Sequence, residues 1–68
     1  MAWGLSSDGE MLVSLDSPAL IRAYPESGQY RVIREIGTTR TGLSSLFATE
    51  GEAIEEVLRL GAQLGYIS

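Results

Sequence analysis

Thr49-Glu50-Gly51-Glu52-Ala53-Ile54-Glu55-Glu56-Val57-Leu58-Arg59-Leu60-Gly61-Ala62-Gln63-Leu64 decides the fold. Thr49 can accept from the backbone N–H three residues on while Glu52 reaches back, the reciprocal pair of a capping box, and acids in the first turn suit the positive end of the helix dipole. A helix over residues 50–64 follows. Its apolar side is Ala53, Ile54, Val57, Leu58, Leu60, Gly61 and Leu64, and its wet side is Glu52, Glu55, Glu56, Arg59 and Gln63. Glu55 and Arg59 are spaced for an i,i+4 ion pair. Gly61, inside the apolar stripe, reads as a packing glycine. Gly65 reads as the left-handed cap, with Tyr66 or Ile67 folding back over the last turn.

Working back from the helix, the periodicity changes from helical to alternating. Tyr30, Val32, Arg34 and Ile36 fall on one side of an extended segment, and Arg31, Ile33 and Glu35 on the other, so residues 29–36 form a strand. Pro25-Glu26-Ser27-Gly28 before it suits a type I turn closed by glycine, which makes residues 20–24 its hairpin partner. A short helix with Pro18 at its first position, capped by Asp16 or Ser17, is the alternative for that partner. Residues 37–42 lack apolar side chains and are bounded by glycines, the mark of a looser connection, after which residues 43–48 return as a strand. Residues 10–15 form the first clear strand. Trp3 and Leu5 can pair back across the Ser7-Asp8-Gly9 turn.

The order β-β-β-β-α predicts one α+β domain spanning residues 1–68: a small antiparallel sheet of three to four strands with a C-terminal helix packed on one face. The expected core is Val13, Leu15, Ile21, Ala23, Tyr30, Val32, Ile36, Leu46, Ile54, Val57, Leu58 and Leu64. Phe47-Ala48-Thr49-Glu50-Gly51-Glu52-Ala53-Ile54, following the Tyr30-Arg31-Val32-Ile33 strand, resembles the strand-to-helix junction of many small bacterial strand-strand-helix domains. That likeness covers the second half of the chain. It is capping physics rather than the signature of one family.

The 68 residues contain no histidine, no cysteine and no lysine. Most neutral-pH general bases, soft metal ligands and Schiff-base or thiolate nucleophiles are thereby missing, so neither catalysis nor a cofactor nor a metal is expected. Ser44-Ser45 has no base to activate it, and Gly37 to Gly42 lacks the lysine of a phosphate loop. Glu52 and Glu56 stand one helical turn apart, but the second helix that completes a carboxylate metal site is missing. A chain this short is near the lower limit for an independent core and has no disulfide or zinc site, so association with a second copy, a homodimer, is expected. No signal peptide or membrane span is legible, and a soluble, cytoplasmic protein is the expectation.

The net charge of −4 is unevenly spread. Asp8, Glu10 and Asp16 make the first third acidic, and Glu50, Glu52, Glu55 and Glu56 against Arg59 make the last third acidic. Between them, Arg22, Arg31, Arg34 and Arg40 outnumber Glu26 and Glu35. A single helix covers one side of the sheet. Leu12, Leu20, Tyr24 and Ile33 are therefore candidates for the uncovered side, beside Arg22 and Arg31. Trp, Tyr and Arg are the residues enriched at interface hot spots, so the candidate partner-binding set is Trp3, Arg22, Tyr24, Arg31, Ile33 and Arg40, with a core plug the alternative for Trp3.

The leading expectation is a non-enzymatic protein-binding module, a regulator or inhibitor working through the open sheet face or a strand edge. A second reading is an acidic mimic of nucleic acid, of the kind phage anti-defence and anti-CRISPR proteins employ, with Glu52, Glu55 and Glu56 as its acidic surface. The third is a nucleic-acid binder built on the arginine hairpin with Tyr24 and Tyr30, which the net negative charge disfavours.

Overall fold

The computed structural model describes residues 3–65. Five strands form one antiparallel meander: β1 (Trp3–Leu5), β2 (Leu12–Ser14), β3 (Ala19–Glu26), β4 (Gln29–Ile36) and β5 (Thr39–Phe47). A single helix, α1 (Glu50–Gln63), follows. The strands lie side by side in chain order. The α+β class and the closing helix are as expected, and the sheet has five strands rather than three to four because Trp3–Leu5 pairs with Leu12–Ser14. Residues 19–26 are extended and not a short helix, since every one of them pairs with β4.

Thr49 and Glu52 make the expected box. The Glu52 N–H donates to Thr49 Oγ1 (3.3 Å) and the Thr49 N–H donates to Glu52 Oε1 (3.2 Å). Ala53, Val57 and Gly61, four residues apart, are the buried line of α1. Gly65 takes the left-handed conformation (φ 86°) and its N–H donates to the Ala62 carbonyl (3.1 Å). The proposed cover from Tyr66 or Ile67 lies outside the described residues. Arg59 does not pair with Glu55. It bonds Glu56, one residue closer, through Nε (2.8 Å) and Nη2, and reaches Gln63 through Nη1 (3.4 Å).

The core under α1 is Leu12, Ile21, Val32, Ala53 and Val57, with Trp3, Ala23, Tyr30, Phe47 and Leu60 packed around it. Leu12 is fully buried, which reverses the expected orientation of β2. Pairing of Leu12 with both Leu5 and Ile21 puts it on the helix side, and Val13, paired with Leu20, is turned away. A one-residue change of phase sends every side chain of a strand to the other face. Leu15 is therefore exposed rather than in the core. Leu46 also faces away from α1, opposite Arg31. Ile36 closes a hairpin at the sheet end, and Leu64 is the C-cap of α1, so both are exposed.

Candidate functional site: an arginine-tyrosine sheet face

The face turned away from α1 is assembled by two tight turns. Ser27 and Gly28 both have positive φ (53° and 79°), the signature of a type I′ hairpin rather than the expected type I turn. Pro25 is consequently inside β3, opposite Tyr30. In a two-residue hairpin the flanking residues exchange hydrogen bonds, so Pro25 falls at the next, non-bonded pair and its missing N–H points toward the free edge beyond short β2. This register sets Tyr24 opposite Arg31, Arg22 opposite Ile33 and Leu20 opposite Glu35.

The second turn is Gly37-Thr38, with positive φ at Gly37 alone (59°), as in a type II′ hairpin. It is two residues long rather than a loose loop through Gly42, and β5 begins at Thr39. Glu35 then faces Arg40 and Ile33 faces Gly42. Beyond that pair one residue of β4, Val32, stands opposite three of β5, Leu43, Ser44 and Ser45. The bulge is patched by a side chain: the Val32 N–H donates to Ser44 Oγ (3.0 Å), and Ser44 Oγ donates on to the Ser45 carbonyl (2.8 Å). Ser44 is a structural residue of the ladder.

On this scaffold Glu35 accepts from Arg22 Nε (3.2 Å) and from Arg40 Nε (2.9 Å), so one carboxylate holds two guanidiniums. Both guanidinium carbons lie 5.0 Å from the centroid of the Tyr24 ring. The negative face of the ring's quadrupole attracts each cation. Arg31 lies across β5, its Nη2 2.9 Å from Glu26 and its Nη1 donating to the Ser44 carbonyl (3.3 Å). Gly42 makes room for it, because a Cβ there would come within 3.2 Å of Arg31 Cδ.

Ile33 is the informative residue of the group. It is only 4% exposed although no helix covers its side of the sheet. The stems and planar groups of the arginines, with Tyr24, roof it over. A depression of about 240 Å³ remains, lined by Tyr24, Glu26, Arg31, Ile33, Arg40 and Gly42. Three guanidiniums against two carboxylates make this face net positive on a chain of net charge −4.

Five of the six candidate partner-binding residues, Arg22, Tyr24, Arg31, Ile33 and Arg40, are thus brought together. Trp3 is not among them. It shares the helix side with Leu5 and Leu12 and packs against the core, of which Leu12, also expected on the open side, is a member. Arg34 falls on the helix side too, exposed between Ile21 and Thr41. Gly42, Glu26, Glu35 and Ser44 complete the face without having been anticipated. The placing of Arg22 with Glu26 on one face of β3, and of Arg31 with Glu35 on one face of β4, is the signal that could have found the two glutamates.

The acidic surface is less free than its sequence implies. Glu52 is held in the capping box, and Glu56 is held by Arg59, whose hydrogen bond lowers the Glu56 pKa below the ordinary carboxylate value while the Arg59 pKa rises. Glu55 is exposed. Asp8, in the β1–β2 connection, accepts from the Ser6 hydroxyl and from the Glu10 N–H (3.0 Å), and the Ser6 bond lowers its pKa. Among the described residues no group of three or more acids is placed to hold a metal ion, and no helix is long and apolar enough to cross a membrane. Comparison with protein-family models, with curated proteins and with solved structures returns no match for the chain.

Proposed function

We propose that this protein is a non-enzymatic binding module, a small regulator or inhibitor, whose open sheet face docks an acidic segment of another protein. The observation that carries the reading is the preformed cluster of Arg22, Tyr24, Arg31 and Arg40 over Ile33. Interface hot spots favour Tyr and Arg, and side chains already held by one another lose little freedom on binding. The positive sign of this face selects a carboxylate-rich partner, and the acidic remainder of the surface repels that partner elsewhere. Nucleic acid is a poorer fit, because its sequence-independent attraction scales with charge that a net −4 chain lacks. The acidic-mimic reading draws on a helix of which Glu52 and Glu56 are already engaged.

Titration of the labelled protein with a short polyglutamate, followed by amide chemical shifts, tests the proposal. The largest changes are expected at residues 22–24, 31–33 and 40–42, and they fade as salt is raised. Binding of a DNA or RNA oligonucleotide at the same residues, or polyglutamate shifts confined to other surfaces, refutes it.

A further inference from the structure

The sheet has two outer strands among the described residues, and they are not equivalent. β1 is three residues long, whereas β5 is nine, and Thr39, Arg40, Thr41, Gly42 and Leu43 are all exposed. The part of β3 left uncovered by β2 is blunted by Pro25, and the Ala23 carbonyl there accepts from Arg22 Nη1 (3.4 Å). The long open edge is β5.

Its backbone polarity follows from the Gly37-Thr38 turn. Ile36 and Thr39 flank that turn and exchange hydrogen bonds, so Arg40 and Gly42, at the non-bonded pairs with Glu35 and Ile33, direct their N–H and C=O groups away from β4. Strands added antiparallel to such an edge place the directly opposed residues on a common face. Arg40 and Gly42 both belong to the arginine-tyrosine face, and Gly42 lies under Arg31. Edge and face therefore meet at one point. The Ser44 bulge then interrupts the regular ladder, which limits pairing to the first half of β5.

We propose that the acidic partner segment binds as an extra antiparallel strand on β5, its carboxylates at alternate residues opposite Arg40 and Gly42 and turned toward Arg31 and Arg40. This rests on the reading of the face given above and adds backbone pairing to it. A second copy of this chain is the poorer occupant. Antiparallel pairing of two β5 edges through Arg40 and Gly42 would set the Arg40 of one copy beside the guanidinium that overlies Gly42 in the other, a like-charge contact.

The test uses the full chain and a short peptide alternating glutamate with valine, in three forms: unmodified, N-methylated at the glutamates, and N-methylated at the valines. Methylation of the glutamates, whose N–H groups face β5, is expected to weaken binding by about tenfold or more, and methylation of the valines by much less. Arg40→Glu abolishes binding of the unmodified peptide, whereas Arg34→Glu, on the opposite side, leaves it. Equal sensitivity to the two methylations overturns strand addition while leaving a face-only dock intact. Polyglutamate that binds the face where the alternating peptide does not also overturns it. So does a free chain that sediments as a dimer which excess peptide neither binds nor dissociates, since β5 is then the seam between copies.

Discussion

Ile33→Ala removes three carbons from a side chain that is 4% exposed, on the side of the sheet that no helix covers. At about 0.8 kcal/mol per buried carbon the transfer cost is about 2.4 kcal/mol. The cavity penalty is small, because the arginine stems above can settle into the gap, so the expected loss is about 2 to 2.5 kcal/mol. Ile36→Ala is the internal control. The same atoms are lost from a residue that is 48% exposed, and about half the cost is expected. Urea unfolding followed by circular dichroism measures both. With a slope of about 1 kcal/mol per molar for a chain this short, Ile33→Ala lowers the midpoint by about 2 M and Ile36→Ala by about 1 M. Tyr24→Ala in the Ile33→Ala background then costs less than it does alone, because the roof has nothing left to cover. Equal midpoints for the two isoleucine variants would refute the idea that the arginine-tyrosine layer acts as a second, smaller core.

Val57→Asp puts an unpaired carboxylate in the fully buried line of α1, and a loss of about 4 kcal/mol or more is expected, comparable with the entire stability of a domain this small. An unaltered thermal transition would contradict the packing described for α1. Ser27→Asn places a residue more tolerant of left-handed backbone at φ 53°, and a gain of about 0.5 kcal/mol is expected in the same urea assay, with a loss counting against the type I′ turn. Asp8 and Glu56 have pKa values lowered by Ser6 and Arg59, so each contributes stability above its ordinary value of 3.8 or 4.5 that is lost as pH falls through the lowered value. The Asp8→Asn, Glu56→Gln double variant accordingly shows a shallower acid limb of stability against pH. Superimposable limbs would show that neither carboxylate gains from folding.

Features whose cause is local were legible in the chain. Thr49 and Glu52 are three residues apart and satisfy one another without help from the sheet, so the start of α1 could be placed to the residue. The β3–β4 pairing was legible for a similar reason, since Gly28 punctuates two alternating segments. The phase of β2 was not. Leu12, Val13 and Leu15 are all apolar, so alternation alone allows either face, and only pairing to Ile21 decides it. Gly42 misled the reading of β5 because glycine usually marks a turn, whereas here it leaves room for Arg31 within a strand. Of the candidate site, Arg22, Tyr24, Arg31 and Ile33 could be grouped from their alternation along β3 and β4, whereas Arg40 lies on the part of β5 that reads as a loop. The sharing of Glu35 between Arg22 and Arg40 depends on a cross-strand register that no local pattern encodes.

The simple side-by-side order of the five strands bears on how the chain reaches this fold. Each strand finds its partner in the segment just before or after it, so no long loop must close before pairing begins, and the low contact order favours rapid folding. The two-residue turns at Ser27-Gly28 and Gly37-Thr38 make the β3–β4–β5 unit the natural nucleus. On this route the arginine-tyrosine layer forms with the central hairpins, and α1, which follows the sheet in the chain, closes over a sheet whose opposite face is already built.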